Sequence, residues 1–215
     1  MISDSKKFIF VHVPKTGGNS IQEQLKKYSY DKITSNESTQ DGLERFNILS
    51  KYSKNIKKHT TIYGYKKYLP NDVYNNYKKI AVVRNPWDRI VSLYFSPHAG
   101  RTKFDQNEFI KVIKSCHTLP FYLNLISPVE HLFSKLGFFK GIKYDLCDQI
   151  DYFLRFENLN SDYEKLCNEI GIDYIPLVVR NKSKRLPYQD YYTPKTMDLV
   201  KRKFKCEIDT FGYEF

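Results

Sequence analysis

A loop near the N-terminus combines one lysine, two glycines and two hydroxyl side chains. Residues 14–20 read Pro-Lys-Thr-Gly-Gly-Asn-Ser and follow an apolar run at residues 8–13. Ile21 and Leu25, four positions apart, indicate a helix directly after the loop. Where a strand, a glycine turn and a helix N-terminus meet, backbone N–H groups converge on one point, and Lys15 adds a full positive charge. The loop therefore predicts a binding site for phosphate or a phosphate-like anion.

The order of residues in this loop differs from that of the familiar nucleotide-binding loops. The Walker loop G-x-x-x-x-G-K-[ST] places its lysine after the glycines, next to a hydroxyl that holds Mg²⁺. Here Lys15 precedes Gly17 and Gly18, and no G-K-[ST] occurs elsewhere in the chain. The dinucleotide pattern G-x-G-x-x-G is also missing. On this loop alone, a plain Gly-Gly turn with a surface lysine remains an alternative.

A second segment predicts another anion site. Residues 79–84 form an apolar run that ends in Arg84, and Pro86 then suits the first position of a helix. Ser92 falls about two turns into that helix. Ligands of open α/β sheets bind at the carboxyl ends of the strands, and an arginine fork with a hydroxyl suits a terminal phosphate. Alone, the segment is also compatible with an ordinary strand and helix joined by a capping arginine.

Together the two segments resemble the cofactor-binding motifs of sulfotransferases, which transfer a sulfuryl group from 3′-phosphoadenosine 5′-phosphosulfate (PAPS). The loop resembles their 5′-phosphosulfate loop, and Val-Arg-Asn-Pro-Trp-Asp-Arg-Ile-Val-Ser-Leu-Tyr at residues 83–94 resembles their 3′-phosphate segment. The resemblance is closest to carbohydrate sulfotransferases of family 2, the heparan 2-O and chondroitin/dermatan 4-O type. A strand and helix within residues 150–170, a basic stretch at 181–185 and the ending Phe-Gly-Tyr-Glu-Phe follow the same order. Residues 30–57 and 97–148 add little to it.

The resemblance implies a role for each motif residue. Lys15 would stabilise the leaving oxygen, and cationic side chains with the helix dipole would replace a metal ion. The 5′-phosphate would be held by Thr16, Gly17, Gly18, Asn19 and Ser20, the 3′-phosphate by Arg84 and Ser92, and Lys184 and Arg185 would close over the nucleotide.

A general base is expected because the acceptor hydroxyl must lose a proton. His59 lies between the two donor motifs, where related carbohydrate sulfotransferases carry a histidine proposed as the base. Imidazole titrates near neutral pH, which suits this task. His12 is expected to pack against or border the cleft. The other histidines, His98, His117 and His131, lie in segments without a readable motif.

Length and pattern predict one α/β domain. The 215 residues contain no linker-like tract and no internal repeat. Alternating strand and helix patterns indicate a P-loop-like domain over residues 1–215, with a central, mostly parallel sheet flanked by helices. The polar residues 30–57 are expected to form an irregular or partly helical excursion.

The net charge of +11 favours anionic partners without identifying them. No nucleic-acid motif occurs and the lysines are spread along the chain, so no nucleic-acid partner is predicted. An anionic donor and an acidic glycan acceptor explain the sign of the charge equally well.

Cysteine usage and hydropathy predict a cytoplasmic protein. The four cysteines form no C-x-x-C pair, so no zinc site is expected. The thiols are expected to be free. No apolar stretch approaches the ~20 residues that span a bilayer, and the N-terminus does not resemble a signal peptide.

The predicted activity is sulfuryl transfer from PAPS to a hydroxyl, with a carbohydrate acceptor such as a glycan or glycolipid implied by the resemblance. A small alcohol stays open as the acceptor. Two alternatives of other classes also stay open: a kinase-like P-loop phosphotransferase, and a non-catalytic protein that binds nucleotide or nucleic acid.

Overall fold

The computed structural model describes residues 1–36, 45–96, 99–123, 146, 148–178 and 185–215. Its strands are β1 Ile2–Ser3, β2 Phe8–Val11, β3 Lys32–Asn36, β4 Arg45–Leu49, β5 Lys78–Val83 and β6 Tyr152–Arg155. The central sheet has the order β1-β2-β5-β6. β1 pairs antiparallel with β2, whereas β2, β5 and β6 run parallel, with Phe10 opposite Ile80 and Ile80 opposite Tyr152.

Helices connect these strands and follow them. They are α1 Gly18–Leu25, α2 Ile62–Tyr68, α3 Asn71–Asn76, α4 Pro86–Tyr94, α5 Gln106–Ser115, α6 Leu119–Leu123, α7 Leu159–Ile170, α8 Pro194–Lys203 and α9 Lys205–Phe211. Short 3-10 turns occupy Lys26–Tyr28, Phe156–Asn158 and Tyr188–Tyr191. Within the described ranges, no helix is both long enough and apolar enough to cross a membrane.

The two faces of the sheet carry separate hydrophobic cores. Successive strand residues point to opposite faces, so Ile9 and Val11 of β2 join one core while Phe8 and Phe10 join the other. The first core packs against α2 to α6 and the C-terminal helices. The second packs against α1 and α7. Because both faces are covered, β2 is apolar at every position. The predicted fold class, a mostly parallel sheet flanked by helices, is confirmed.

One local prediction was wrong, and one predicted strand is shorter than expected. Residues 30–57 contain the antiparallel pair β3–β4, with Ile33 opposite Ile48, where an irregular or partly helical segment was expected. Backbone hydrogen bonds form this pair whatever the polarity of the side chains, so the polar composition was misleading. The strand expected within residues 150–159 is confined to Tyr152–Arg155 and gives way to a 3-10 turn.

Candidate functional site

A cavity of about 980 Å³ opens at the carboxyl ends of β2 and β5. The predicted site residues that line it are Lys15, Gly17, Gly18, Asn19, Ser20, His59, Arg84, Ser92 and Arg185. Residues widely separated in the chain therefore meet in one place, at the sheet edge where ligands of open α/β folds bind. Lys184, predicted to close over the nucleotide, lies outside the described residues.

The loop between β2 and α1 leaves backbone N–H groups for a ligand. Gly17 has φ 84° and Lys15 has φ 67°, a conformation that is unfavourable for a lysine. No side chain caps α1, which begins at Gly18. Gly18 is required because a Cβ there would approach the His12 ring to 2.7 Å. This strained, uncapped helix start is the backbone arrangement of an anion site.

Two hydroxyl groups of the loop already have protein partners. The Thr16 hydroxyl donates to the Val13 carbonyl at 2.9 Å, and its side chain is buried away from the cavity. The Ser20 hydroxyl donates to the Val178 carbonyl at 2.9 Å. These side chains fasten the loop, so an anion here would meet backbone N–H groups first.

Lys15 lies inside the cavity among other cations. Its Nζ is 3.5 Å from the Ser96 hydroxyl. Burial, together with the charges of Arg84 and Arg185, lowers the pKa of Lys15 to about 8. An ammonium group that is desolvated and repelled in this way gains strongly from a bound anion.

Arg84 is fixed on several sides. Its Nη1 donates to the Lys15 carbonyl at 3.0 Å, while Nε and Nη2 donate to one oxygen of Asp88 at 2.8 and 2.6 Å. The guanidinium lies 3.7 Å over the Phe156 ring. Arg185 donates to the other Asp88 oxygen. Asp88 thus holds both arginines in the cavity, which Ser92 also lines.

His59 is held in a definite tautomer. Its Nδ1 is 2.8 Å from the His12 carbonyl, which can only accept, so Nδ1 carries the proton. In the neutral ring, Nε2 is then the nitrogen that can accept a proton. Burial lowers the pKa of His59, and this effect outweighs the hydrogen bond to His12, which raises it. Part of the His59 side chain stays exposed to solvent. The ring is therefore neutral at physiological pH and able to act as a base.

The remaining histidines have other surroundings. His12 is buried, with Nδ1 at 2.9 Å from Gln22 Oε1 and its ring centroid 4.9 Å from that of His59. It borders the cavity, as expected. The His117 ring stacks on Phe121 at 3.9 Å and does not line this cavity. His98 and His131 lie outside the described residues.

Sequence reasoning missed several residues that line the cavity. Asp88 pairs with Arg84 although Arg84 precedes α4, so the i,i+4 rule for helices did not predict this ion pair. Lys58 is adjacent to His59 in the sequence but gave no separate signal. Ser96 and Phe156 reach the cavity only through the fold.

The sequence predicts no metal site, and it predicts free thiols. In the part of the chain that the structure describes, no three acidic, histidine or cysteine side chains are grouped as a metal site. Cys167 is a free thiol, and Cys147 lies outside the described ranges.

Comparison with known proteins identifies a family whose model covers nearly the whole chain. A family model described as "Sulfotransferase family" matches residues 1–214. No curated protein sequence matches the chain. Among solved structures, mouse sulfotransferase SULT7A1 complexed with PAP is similar at 18% identity and a TM-score of 0.44, over 94% of this chain and 85% of that chain. A structural similarity at this level supports no assignment by itself.

Proposed function

This chain belongs to the sulfotransferase family, and on that premise we propose that it transfers a sulfuryl group from PAPS to a carbohydrate hydroxyl. Family membership confirms the predicted PAPS-dependent sulfotransferase and its donor. The assignment of individual residues and of a carbohydrate acceptor is our proposal. We extend the proposal to one sulfotransferase domain over residues 1–215 and to a cytoplasmic location.

The observation that carries the proposal is that one cavity brings two predicted anion-binding groups together. They are the loop of Gly17 to Ser20 with Lys15, and the pair of Arg84 and Arg185, and Ser92 lines the same cavity. A cavity of about 980 Å³ lies at the upper end of the range for small-molecule sites. We assign the 5′-phosphate to the loop and the 3′-phosphate to the arginine pair.

The reaction is an in-line displacement at sulfur. The acceptor oxygen forms a bond to sulfur while the bond from sulfur to the 5′-phosphate oxygen breaks, and that oxygen leaves with the electron pair. Sulfuryl transfer resembles phosphoryl transfer in depending on positioning and charge stabilisation. Lys15 stabilises the negative charge that grows on the leaving oxygen, and the loop N–H groups hold the phosphate that carries it.

His59 is assigned as the general base. Its Nδ1–H is engaged by the His12 carbonyl at 2.8 Å, so Nε2 takes the proton of the acceptor hydroxyl. The His12 carbonyl fixes the tautomer and limits the rotation of the ring. The lowered pKa keeps His59 unprotonated at neutral pH, which is the state that a base requires.

The test is transfer of radiolabelled sulfate from PAPS to a panel of glycans, glycolipids and small alcohols. For the best acceptor, we expect His59→Ala to lower kcat about 10²-fold or more, because general-base catalysis contributes at least this much. Calorimetry with the product 3′-phosphoadenosine 5′-phosphate (PAP) should give an unchanged Kd.

His117→Ala is the matched control, since His117 lies outside the cavity, and it should retain the parent rate. Loss of PAP affinity in His59→Ala would give this residue a structural role instead. Labelled transfer to small alcohols but to no sugar would remove the carbohydrate acceptor, and magnesium-dependent ATP turnover would favour the kinase alternative.

A further inference from the structure

Lys15 adopts a backbone conformation that a lysine does not favour. Its φ of 67° lies in the left-handed region, where the Cβ of an L-residue comes close to the following carbonyl oxygen. In the described part of the chain, Lys15 and Lys7 are the non-glycine residues with a positive φ. Such a conformation persists only where the surrounding structure fixes it. Contacts around the loop must therefore hold Lys15 in place.

Two arginines hold the carbonyl groups on either side of the Lys15 Cα. Arg89 Nε donates to the Pro14 carbonyl at 3.3 Å, and Arg84 Nη1 donates to the Lys15 carbonyl at 3.0 Å. Each carbonyl lies in the rigid plane of its own peptide group, and these two planes meet at the Lys15 Cα. Fixing both planes fixes φ and ψ of Lys15, and with them the direction of its side chain.

Arg89 is itself anchored deep in the protein. Its side chain is buried, Nη1 donates to Glu207 at 3.3 Å, and Nη2 donates to the His117 carbonyl at 2.6 Å. It does not line the cavity of about 980 Å³ but a smaller one of about 210 Å³, which Pro14 and Lys15 also border. A nucleotide in the larger cavity therefore meets Lys15 but not Arg89.

We propose that Arg89 is a positioning residue, which holds the loop so that the Lys15 ammonium meets the leaving oxygen of the 5′-phosphate. This inference rests on the proposed function and gives a part in the reaction to a buried residue that touches no substrate. Because Arg89 fixes Lys15 before the nucleotide arrives, the ammonium group needs no reorganisation as charge develops on the leaving oxygen. Glu207 compensates the guanidinium charge in the interior.

Stability and catalysis should respond in opposite order to two changes at this ion pair. Glu207→Gln removes the buried carboxylate charge but leaves the Arg89 guanidinium at the Pro14 carbonyl. The free energy of unfolding should fall, because a buried charge loses its partner. The kcat for transfer of radiolabelled sulfate from PAPS should stay within about threefold of the parent value, since the position of Lys15 is kept.

The double variant Arg89→Met with Glu207→Met should show the reverse. It removes both buried charges and fills their space with apolar side chains, so it should be more stable than Glu207→Gln. The Pro14 carbonyl loses its donor and Lys15 can relax to a negative φ. We expect kcat to fall about 10²-fold and the Kd of PAP to rise about tenfold, as for a displacement of about 1 Å.

Arg89→Lys keeps the proposal testable if the double variant fails to fold. Its single ammonium group preserves the charge opposite Glu207 but cannot reach Glu207 and the Pro14 carbonyl with separate nitrogens. We expect kcat to fall about tenfold or more while the free energy of unfolding stays above that of Glu207→Gln. Urea unfolding measures stability, calorimetry measures PAP binding, and every rate is divided by the folded fraction.

Arg202→Met with Asp198→Met is the matched control, because it removes an exposed ion pair from α8 and should leave kcat and PAP affinity at parent values. A parent-like kcat in the double variant at Arg89 and Glu207, or in Arg89→Lys, would overturn the proposal. A loss of kcat in Glu207→Gln equal to that in the double variant would also overturn it, since the pair would then have a structural role only.

Failure of the parent protein to bind PAP and to transfer sulfate from PAPS would instead overturn the proposed function. The two failures are distinguishable, because the role of Arg89 is judged against an active parent.

Discussion

Lys15 shows at the scale of a single residue how the fold prepares a group for its ligand. It adopts a positive φ of 67° and places its ammonium in a cavity that also holds Arg84 and Arg185. Burial and these two charges lower its pKa to about 8. Burying a charged lysine next to two arginines lowers the stability of the free protein, and a bound anion offsets part of this loss.

The affinity for PAP is expected to fall as the pH rises through 8. The pKa of Lys15 is about 8 in the free protein, and a bound phosphate raises it, so the nucleotide binds preferentially to the protonated form. Above pH 8, Kd should increase by up to about tenfold per pH unit. Calorimetry from pH 6.5 to 9.5 measures this dependence, and binding near pH 8.5 should be accompanied by proton uptake.

Lys15→Arg is the matched variant for this prediction. The guanidinium stays protonated throughout this range, so the increase of Kd above pH 8 should be largely lost. A parent Kd that is constant between pH 7 and 9.5 would contradict the assignment of Lys15 to the 5′-phosphate.

At the scale of an element, the start of α1 depends on two glycines for different reasons. Gly17 needs a positive φ of 84°, and a Cβ there would also lie 2.8 Å from the Phe156 ring. Gly18 has no positive φ but lies against the His12 ring. The helix can present its first N–H groups to a ligand because neither position carries a side chain.

Gly17→Ala is expected to lower both the stability of the protein and its affinity for PAP. The left-handed conformation costs an L-residue about 1–2 kcal/mol, and the contact with Phe156 forces a displacement of the loop. Gly171→Ala is the matched control, because Gly171 has φ 65° at the end of α7 but open space around it.

Urea unfolding and calorimetry together separate the two effects. Gly171→Ala should lose about 1–2 kcal/mol of unfolding free energy and Gly17→Ala should lose more, whereas only Gly17→Ala should lose PAP affinity, by about tenfold or more. Equal PAP affinity in the two variants would show that the loop does not hold the nucleotide.

At the scale of the whole molecule, a buried ion pair connects the site to the C-terminal helices. Arg89 of α4 donates to Glu207 of α9 at 3.3 Å, to the Pro14 carbonyl at 3.3 Å and to the His117 carbonyl at 2.6 Å. The Leu119 amide donates to Glu207 at 2.7 Å. Arg89 and Glu207 are 2% and 0% exposed, so their charges depend on each other. The pair joins the loop residue before Lys15 to distant parts of the chain.

Glu207→Ala is expected to destabilise the protein by about 3–5 kcal/mol, because it leaves the Arg89 charge buried without its carboxylate. Asp198→Ala breaks the exposed pair of Asp198 with Arg202 and is the control, with an expected loss of less than about 1 kcal/mol. Urea unfolding measures both values. Similar losses in the two variants would show that the buried pair contributes no more than a surface pair.

The double variant Arg89→Met with Glu207→Met should recover part of the lost stability, since it removes both buried charges.

Motifs along the chain determined the family, the donor and the fold class. These motifs are short stretches of consecutive residues. One is an apolar run that ends in Pro-Lys-Thr-Gly-Gly, and the other is an apolar run that ends in Arg84 and is followed by Pro86. A strand followed directly by a helix places its turn at the carboxyl end of the strand, so local sequence was enough to predict a ligand site there. The polar pair β3–β4 was missed because strand pairing through the backbone leaves no clear side-chain pattern.

Only the tertiary structure decided which side chains share the cavity and in what state. Asp88 between two arginines and the His12 carbonyl at His59 are contacts that chain order did not predict. Lys58 and Lys15 line one cavity for the same reason. The pKa values of the lysines and the tautomer of His59 follow from burial and from neighbouring charges. These quantities depend on distances in space, which chain order alone does not contain.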